Sequence, residues 1–123
     1  MKIRIKGDTI RLRLSRTELT QLEAKGKVEE ICHLSPTSHF KYSLVKKEGI
    51  QHMEASFLPH GIQINLPTAM ASGLQVPEKV GFKDSVDNGI NGLNITVEKD
   101  WQCLKPRPEE DETDLFPHPA EHG

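Results

Sequence analysis

Residues 1–15 read MKIRIKGDTIRLRLS, and apolar and basic residues alternate on both sides of the dipeptide Gly7-Asp8. Alternation with a period of two is typical of strands with one buried face, and a glycine-containing dipeptide between two such runs is typical of a hairpin turn. The stretch predicts a hairpin in which Arg4 lies opposite Arg11 and the apolar side chains face the core. The opposite face then carries five cations: Lys2, Arg4, Lys6, Arg11 and Arg13.

The next segment, LSRTELTQLEAKG, carries the signals of a short, well-capped helix. Ser15 suits the N-cap and Glu18 suits the third helical position, and together they form a capping box. Gly26 suits the position just after the last turn, where the backbone often becomes left-handed. These signals predict a helix over residues 16–25.

After this helix the pattern returns to strands. A second hairpin is predicted around Pro59-His60-Gly61, a short second helix after Pro67, and a last strand within LNITVEKDW. Six to eight strands with short connections predict an α+β fold with a mainly antiparallel sheet. We expect that sheet to be curled or barrel-like, or to carry the helix on one face.

The last nineteen residues, KPRPEEDETDLFPHPAEHG, differ in composition from the rest. They hold four prolines and six acidic residues, and too few apolar residues to form a packed element. The chain of 123 residues is therefore predicted to form a single α+β domain over residues 1–104 and an acidic, proline-containing flexible tail over residues 105–123. Leu115 and Phe116 are the expected anchor of this tail.

The composition favours a soluble cytoplasmic protein. The net charge is −2, and neither a secretory apolar run nor a stretch long enough to cross a membrane is present. Cys32 and Cys103 are far apart and fit no CxxC pattern, so we expect both thiols to be reduced, with Cys32 a small residue in a half-buried strand.

Three parts of the chain together resemble a known family: the start MKIRIKG…IRLRL, the late VEKDWQCL and the ending EDETDLFPHP. The family comprises short, uncharacterised bacterial proteins that share a domain of unknown function, and the resemblance covers nearly the whole chain. It implies a stand-alone bacterial protein and transfers no activity, cofactor or catalytic residue. The ending FPHP departs from the FPNP-like ending expected of the family, which weakens any special role for His118.

The five cations of the first hairpin are the predicted functional residues. Arginine directly opposite arginine is unfavourable in a strand pair, so some negative charge should offset it. An external anion or an acidic partner segment is one source, because guanidinium groups bind phosphates and carboxylates with two hydrogen bonds. An internal lattice of Glu29, Glu54 and Glu98 is another, and protection of an exposed sheet edge is a third explanation.

The acidic tail offers two further hypotheses. It could dock on the basic hairpin through opposite charge, with Leu115 and Phe116 as a hydrophobic contact, and so mask the cations. A structural alternative is a homodimer formed through the tail or through an edge strand.

Catalytic signals are few, and the sequence favours a non-catalytic binding or accessory module. The alternative is a tunnel-like polyphosphate or phosphate-ester enzyme in which Glu54 and Glu98 would hold Mg²⁺, but no ExExK strand is present. No nucleophile, phosphate-loop or metal motif occurs, so no cofactor and no metal are predicted. Nucleic acid is an unexpected partner, because the hairpin interleaves its cations with Ile and Leu instead of aromatic residues.

Overall fold

The fold contains eight strands and two helices in a computed structural model that describes residues 1–101 and 113–117. The elements in chain order are β1 Lys2–Lys6, β2 Thr9–Leu14, α1 Arg16–Lys25, β3 Lys27–Ser35, β4 Ser38–Lys47, β5 Glu54–Leu58, β6 Gly61–Pro67, α2 Thr68–Gly73, β7 Gly81–Val86 and β8 Leu93–Lys99.

The strands form two four-stranded sheets. Sheet A has the order β1-β2-β8-β7 and sheet B has the order β3-β4-β6-β5. In each sheet two antiparallel hairpins meet through one parallel contact, which is β2 with β8 in sheet A and β4 with β6 in sheet B. The predicted α+β, mainly antiparallel fold is confirmed, but the described strands form two separate sheets and not a closed barrel.

The first hairpin has the predicted register. Lys2 pairs with Arg13, Arg4 with Arg11 and Lys6 with Thr9. The alternate residues of β2 are buried, namely Ile10, Leu12 and Leu14. The basic residues of β1 and β2 therefore lie on the outer face of sheet A.

Helix α1 begins and ends where the capping signals predict. The Ser15 hydroxyl accepts a hydrogen bond from the Glu18 backbone, and the Glu18 carboxylate accepts one from the Ser15 backbone at 2.9 Å. Gly26 ends the helix with a φ of 75°, which glycine adopts without steric cost. The buried face of α1 consists of Leu19 and Leu22.

Both sheets and both helices contribute to one hydrophobic core. Sheet A supplies Leu12 and Val97, sheet B supplies Leu44 and Ile64, and α2 supplies Ala71. All five side chains are almost completely buried. The core fixes sheet A on one side and leaves its outer face free for polar side chains.

The amino group of Met1 is enclosed at the junction of α1 and β3. It contacts the carboxylate of Glu18, and it donates a hydrogen bond to Glu30 at 2.8 Å. The Tyr42 hydroxyl donates to the Met1 carbonyl at 2.8 Å. These contacts attach the start of β1 to sheet B, because Glu30 and Tyr42 belong to β3 and β4.

Residues 113–117 pack against the folded body. Asp114 accepts hydrogen bonds at the start of α1, where its Oδ1 lies 2.8 Å from the Thr17 hydroxyl. Leu115 is buried, and the Phe116 ring meets the Trp101 ring edge-on at 5.6 Å. The expected anchor residues do contact the body, whereas the boundary at residue 104 and the flexibility of the tail stay predictions.

Candidate functional site

The outer face of sheet A brings together the five cations predicted from the sequence. Strand β1 contributes Lys2, Arg4 and Lys6, and strand β2 contributes Arg11 and Arg13. We call these residues, together with Lys83 of β7, the cationic face.

Lys83 joins the cationic face through the register of the central strands. Arg11 pairs with Thr96 of β8, and Thr96 pairs with Lys83 of β7. Residues that pair across a sheet point to the same face, so Arg4, Arg11, Thr96 and Lys83 form one row across four strands. At about 4.8 Å per strand this row spans about 14 Å of backbone.

Lys83 is not among the cations predicted from the sequence. Its strand, GFKDSV, shows a period of two, but a local pattern does not reveal which strand lies beside it. Only the parallel contact between β2 and β8, which are about eighty residues apart in the chain, brings Lys83 into the row.

Glu98 supplies negative charge at one end of the cationic face. The Arg13 Nε donates to its Oε1 at 3.0 Å, and the Arg11 Nε lies 3.6 Å from the same oxygen. Lys2 forms a separate ion pair with Asp100 at 2.9 Å. Glu98 and Asp100 therefore balance the end of the hairpin that carries Lys2 and Arg13.

The rest of the cationic face has an excess of positive charge. The Nε of Arg11 is buried and has no hydrogen-bond partner within the described residues. Arg4, Lys6 and Lys83 form no ion pair in residues 1–101 or 113–117. One buried donor and three cations without an ion pair in the described part of the chain thus lie together on one surface.

Three cavities open on this face, and Arg11 lines each of them. One of about 200 Å³ is bordered by Arg4, Lys6 and Thr9, and one of about 210 Å³ lies toward Arg13. The third has about 410 Å³ and continues across β8 to β7. Its lining residues are Thr9, Arg11, Lys83, Asp84, Ser85, Asn94, Ile95 and Thr96.

The largest cavity combines positive charge with neutral hydrogen-bonding groups. Arg11 and Lys83 supply the cations, and Thr9, Asn94 and Ser85 form the neighbouring row of hydroxyl and amide side chains. The Asp84 carboxylate also lines this cavity, but its negative charge is partly compensated, because its Oδ2 accepts a hydrogen bond from the Met53 backbone at 2.8 Å. Such a surface can bind a negatively charged group together with a polar one.

Glu29 and Glu54 lie in sheet B, away from the cationic face. Hydrogen bonds from Lys27 and Ser43 hold the pKa of Glu29 below its usual value. Hydrogen bonds from Lys47 and Asn65 do the same for the pKa of Glu54. Of the three predicted counter-ions, only Glu98 lies beside the hairpin cations.

This separation also bears on the enzyme hypothesis. Glu54 belongs to β5 of sheet B and Glu98 to β8 of sheet A, so the structure does not bring the two proposed Mg²⁺ ligands together. Glu54 pairs with Lys47 at 3.1 Å, whereas Glu98 pairs with arginines of the hairpin. Among the residues that the structure describes, no three His, Cys, Asp or Glu side chains are arranged to hold a metal ion.

Other residues considered in the sequence lie outside this face. Cys32 is exposed near the end of the β3–β4 hairpin, so the expectation of a half-buried thiol was wrong. The strand extends past the core at this point, which the alternation of residues does not indicate. Tyr42 and Trp101 are half-buried and belong to other surfaces, so neither supplies an aromatic ring for base stacking on the cationic face.

The hypothesis that the acidic tail docks on the basic hairpin involves a tail of which the structure describes only residues 113–117. Asp114 binds the start of α1 and not the hairpin cations. The acidic residues Glu109, Glu110, Asp111 and Glu112, as well as Cys103 and His118, lie outside the described residues. Docking of the acidic run on the cationic face therefore stays a prediction.

The fold and this surface define a small α+β protein with two mixed sheets and a cationic outer sheet face. The chain belongs to a family of unknown function, DUF7009, whose family model matches residues 1–120. No curated protein and no solved structure shows significant similarity to the chain.

Neither helix of the described part has the length or the apolar content needed to cross a bilayer. The cytoplasmic location expected from the sequence stays a prediction, as does the bacterial origin that the resemblance implies.

Proposed function

We propose that this protein is a non-catalytic binding module that holds a small phosphate-bearing ligand on the cationic face. The observation that carries the proposal concerns Arg11, whose side chain lines all three cavities and whose buried Nε has no hydrogen-bond partner among the described residues. A buried donor left unpaired costs about 1–3 kcal/mol, so the Arg11 guanidinium gains from a small rotation that brings its donors to an anion in these cavities.

The chemistry of the surrounding side chains favours phosphate. Arginine presents several donors in a planar fork that matches phosphate and carboxylate oxygens. Arg4, Arg11 and Lys83 supply three positive charges along one row, which suits a ligand with more than one negative charge.

The size and lining of the cavity favour a small molecule. Its volume of about 410 Å³ is within the range of small-molecule sites. Thr9, Asn94 and Ser85 offer hydrogen bonds to a polar group attached to the phosphate. Binding of single-stranded nucleic acid is disfavoured, because the strand residues on this side of the described sheet include no aromatic side chain for stacking.

A thermal-unfolding panel at low salt tests the proposal. The ligands are phosphate, triphosphate with and without Mg²⁺, ATP, and short RNA and DNA. A ligand present at about 100 times its dissociation constant adds about 2.7 kcal/mol of stability, which raises the midpoint of a domain of this size by about 10 °C or more. We expect such a shift with small phosphate compounds and little shift with RNA or DNA.

Two variants test whether the stabilisation by ligand depends on the cationic face. Arg11→Ala should abolish the shift, whereas Lys41→Ala should retain it, because Lys41 lies on the outer face of sheet B near Glu29. A panel without any shift, or an equal loss in both variants, contradicts the proposal. Release of phosphate from triphosphate in the presence of Mg²⁺ would show an enzyme instead of a binding module.

A further inference from the structure

Strand β5, with the sequence EASFL, lies at an edge of sheet B. It pairs with β6 on one side, and no other described strand lies on its outer side. The backbone groups on that side are therefore available to another strand.

Phe57 lies in the middle of this edge and is 92% exposed, more than any other large apolar residue of the described chain. Its neighbours Ala55 and Ser56 are exposed too. An edge strand that exposes a phenylalanine and contains neither lysine nor proline lacks the usual protection against pairing with another chain.

The other three sheet edges carry features that oppose pairing. Strand β1 presents Lys and Arg residues, and β3 contains three charged residues in its first four positions. Strand β7 carries the charged residues Lys83 and Asp84 in its middle. In β5 the only charged residue is Glu54, which Lys47 and Asn65 engage at the start of the strand.

We propose that β5 pairs antiparallel with β5 of a second copy of this chain, about a twofold axis at Ser56. Ser56 is the midpoint of the strand, so an axis at this residue pairs all five residues of β5 with residues of the other copy. It places Phe57 beside Ala55 of the other copy, so that a large side chain lies over a small one. It also places Glu54 opposite Leu58, and no like charges face each other.

The arrangement joins the two copies of sheet B into one eight-stranded sheet. A pair of five-residue strands buries a small area, so the dimer belongs to the weak class of interfaces and forms at high protein concentration. It leaves the cationic face of sheet A open, because that face belongs to the other sheet.

Cross-linking at the axis tests the pairing directly. In a protein with Cys32→Ser and Cys103→Ser, the substitution Ser56→Cys places two thiols opposite each other across the twofold axis. Mild oxidation should then produce a covalent dimer in high yield. The matched control is Gln51→Cys, an exposed position before β5, which should stay monomeric.

The mass in solution gives an independent measurement. Light scattering of the full chain up to about 1 mM should show the mass rising from 13.8 kDa toward twice that value. Phe57→Lys should abolish the rise, whereas Ile90→Lys, at a loop residue that is 87% exposed, should not. A constant monomer mass, or cross-linking equal at positions 51 and 56, overturns the proposal.

Discussion

Arg11 differs from the other hairpin cations because its Nε is buried and, within the described part of the chain, forms an ion pair with Glu98 alone. The Glu98 oxygen is 3.6 Å from that nitrogen and already accepts a shorter hydrogen bond from Arg13. Glu98 therefore satisfies Arg13 and only partly neutralises Arg11. At the scale of single residues, Glu98 and an incoming phosphate compete for the same guanidinium group.

The substitution Glu98→Gln tests this competition. Removing one negative charge about 4 Å from an anion site is worth about 1 kcal/mol in high dielectric, so we expect the affinity for triphosphate to increase about fivefold. Calorimetric titration measures the change. Glu29→Gln is the matched control, because Glu29 pairs with Lys27 in sheet B, and it should leave the affinity unchanged. An unchanged affinity in Glu98→Gln would show that Glu98 does not compete.

Glu18 links α1 to the amino group of Met1, and its ionisation contributes to stability. Burial raises the pKa of Glu18, but hydrogen bonds from the amino group and from Ser15 together lower it more, so the pKa is below 4.5. A carboxylate with a lowered pKa stabilises the fold above the unfolded-state pKa, and this contribution is lost as the pH falls through the folded-state pKa.

We therefore expect Glu18→Gln to lower the free energy of unfolding at pH 7 by about 1–2 kcal/mol, since the charged contact with the Met1 amino group is lost, whereas a Gln amide oxygen can still accept the capping hydrogen bond from Ser15. The difference from the wild type should begin to shrink below about pH 4.5, where the unfolded-state carboxylate becomes protonated, and should be lost at the lower pH where the folded-state carboxylate becomes protonated as well. Urea unfolding between pH 3 and 7 measures both effects. Glu23→Gln, on an exposed part of the same helix, is the control. A difference independent of pH would refute the ionic role of Glu18.

At the scale of elements, local sequence signals predict the first hairpin and helix α1 well. The register of the hairpin follows from the alternation of residues around Gly7-Asp8, and the ends of the helix follow from Ser15, Glu18 and Gly26. These features depend on residues close together in the chain, so the sequence alone contains the needed information. Cys32 shows the limit, because alternation does not reveal where a strand extends beyond the core.

The parallel contact between β4 and β6 requires a close backbone approach at Gly61. A Cβ at this position would lie 1.6 Å from the Lys41 carbonyl oxygen, which belongs to the backbone and cannot rotate away. We expect Gly61→Ala to lower the free energy of unfolding by at least about 2 kcal/mol, because the two strands must separate. Chemical denaturation measures this loss.

Gly73→Ala is the matched comparison for Gly61→Ala. The atoms nearest to the added methyl group would belong to the Phe82 ring, the first at 2.6 Å, and that side chain can move. The loss of stability at Gly73 should therefore be clearly smaller. Equal losses in the two variants would contradict the close contact between β4 and β6.

At the scale of the whole molecule, the sequence leaves the pairing of distant strands undetermined. Strands β2 and β8 are adjacent although most of the chain separates them. Strands β4 and β6 are also adjacent, although β5 lies between them in the sequence. A period of two predicts that a strand has one buried face but not which strand lies beside it. For this reason the sequence predicts five residues of the cationic face but not Lys83, and it predicts a mainly antiparallel fold without dividing the strands into two sheets.

The outer faces of the two sheets differ in their charged residues. Sheet A carries the cationic face, whose Arg11 has a buried donor without a partner among the described residues, whereas Glu29 and Glu54 of sheet B already pair with lysines. We propose on this basis that phosphate compounds bind the outer face of sheet A and not that of sheet B.

The most direct test is a nuclear magnetic resonance titration of the full chain with triphosphate at low salt. We expect saturable shifts of backbone and side-chain signals confined to the outer face of sheet A, at Arg4, Lys6, Thr9, Arg11, Lys83, Asn94 and Thr96. Signals of Lys41, Ser43 and Gln63 in sheet B should not move. Absence of saturable shifts, or equal shifts on both sheets, would contradict the claim that the cationic face is a phosphate site.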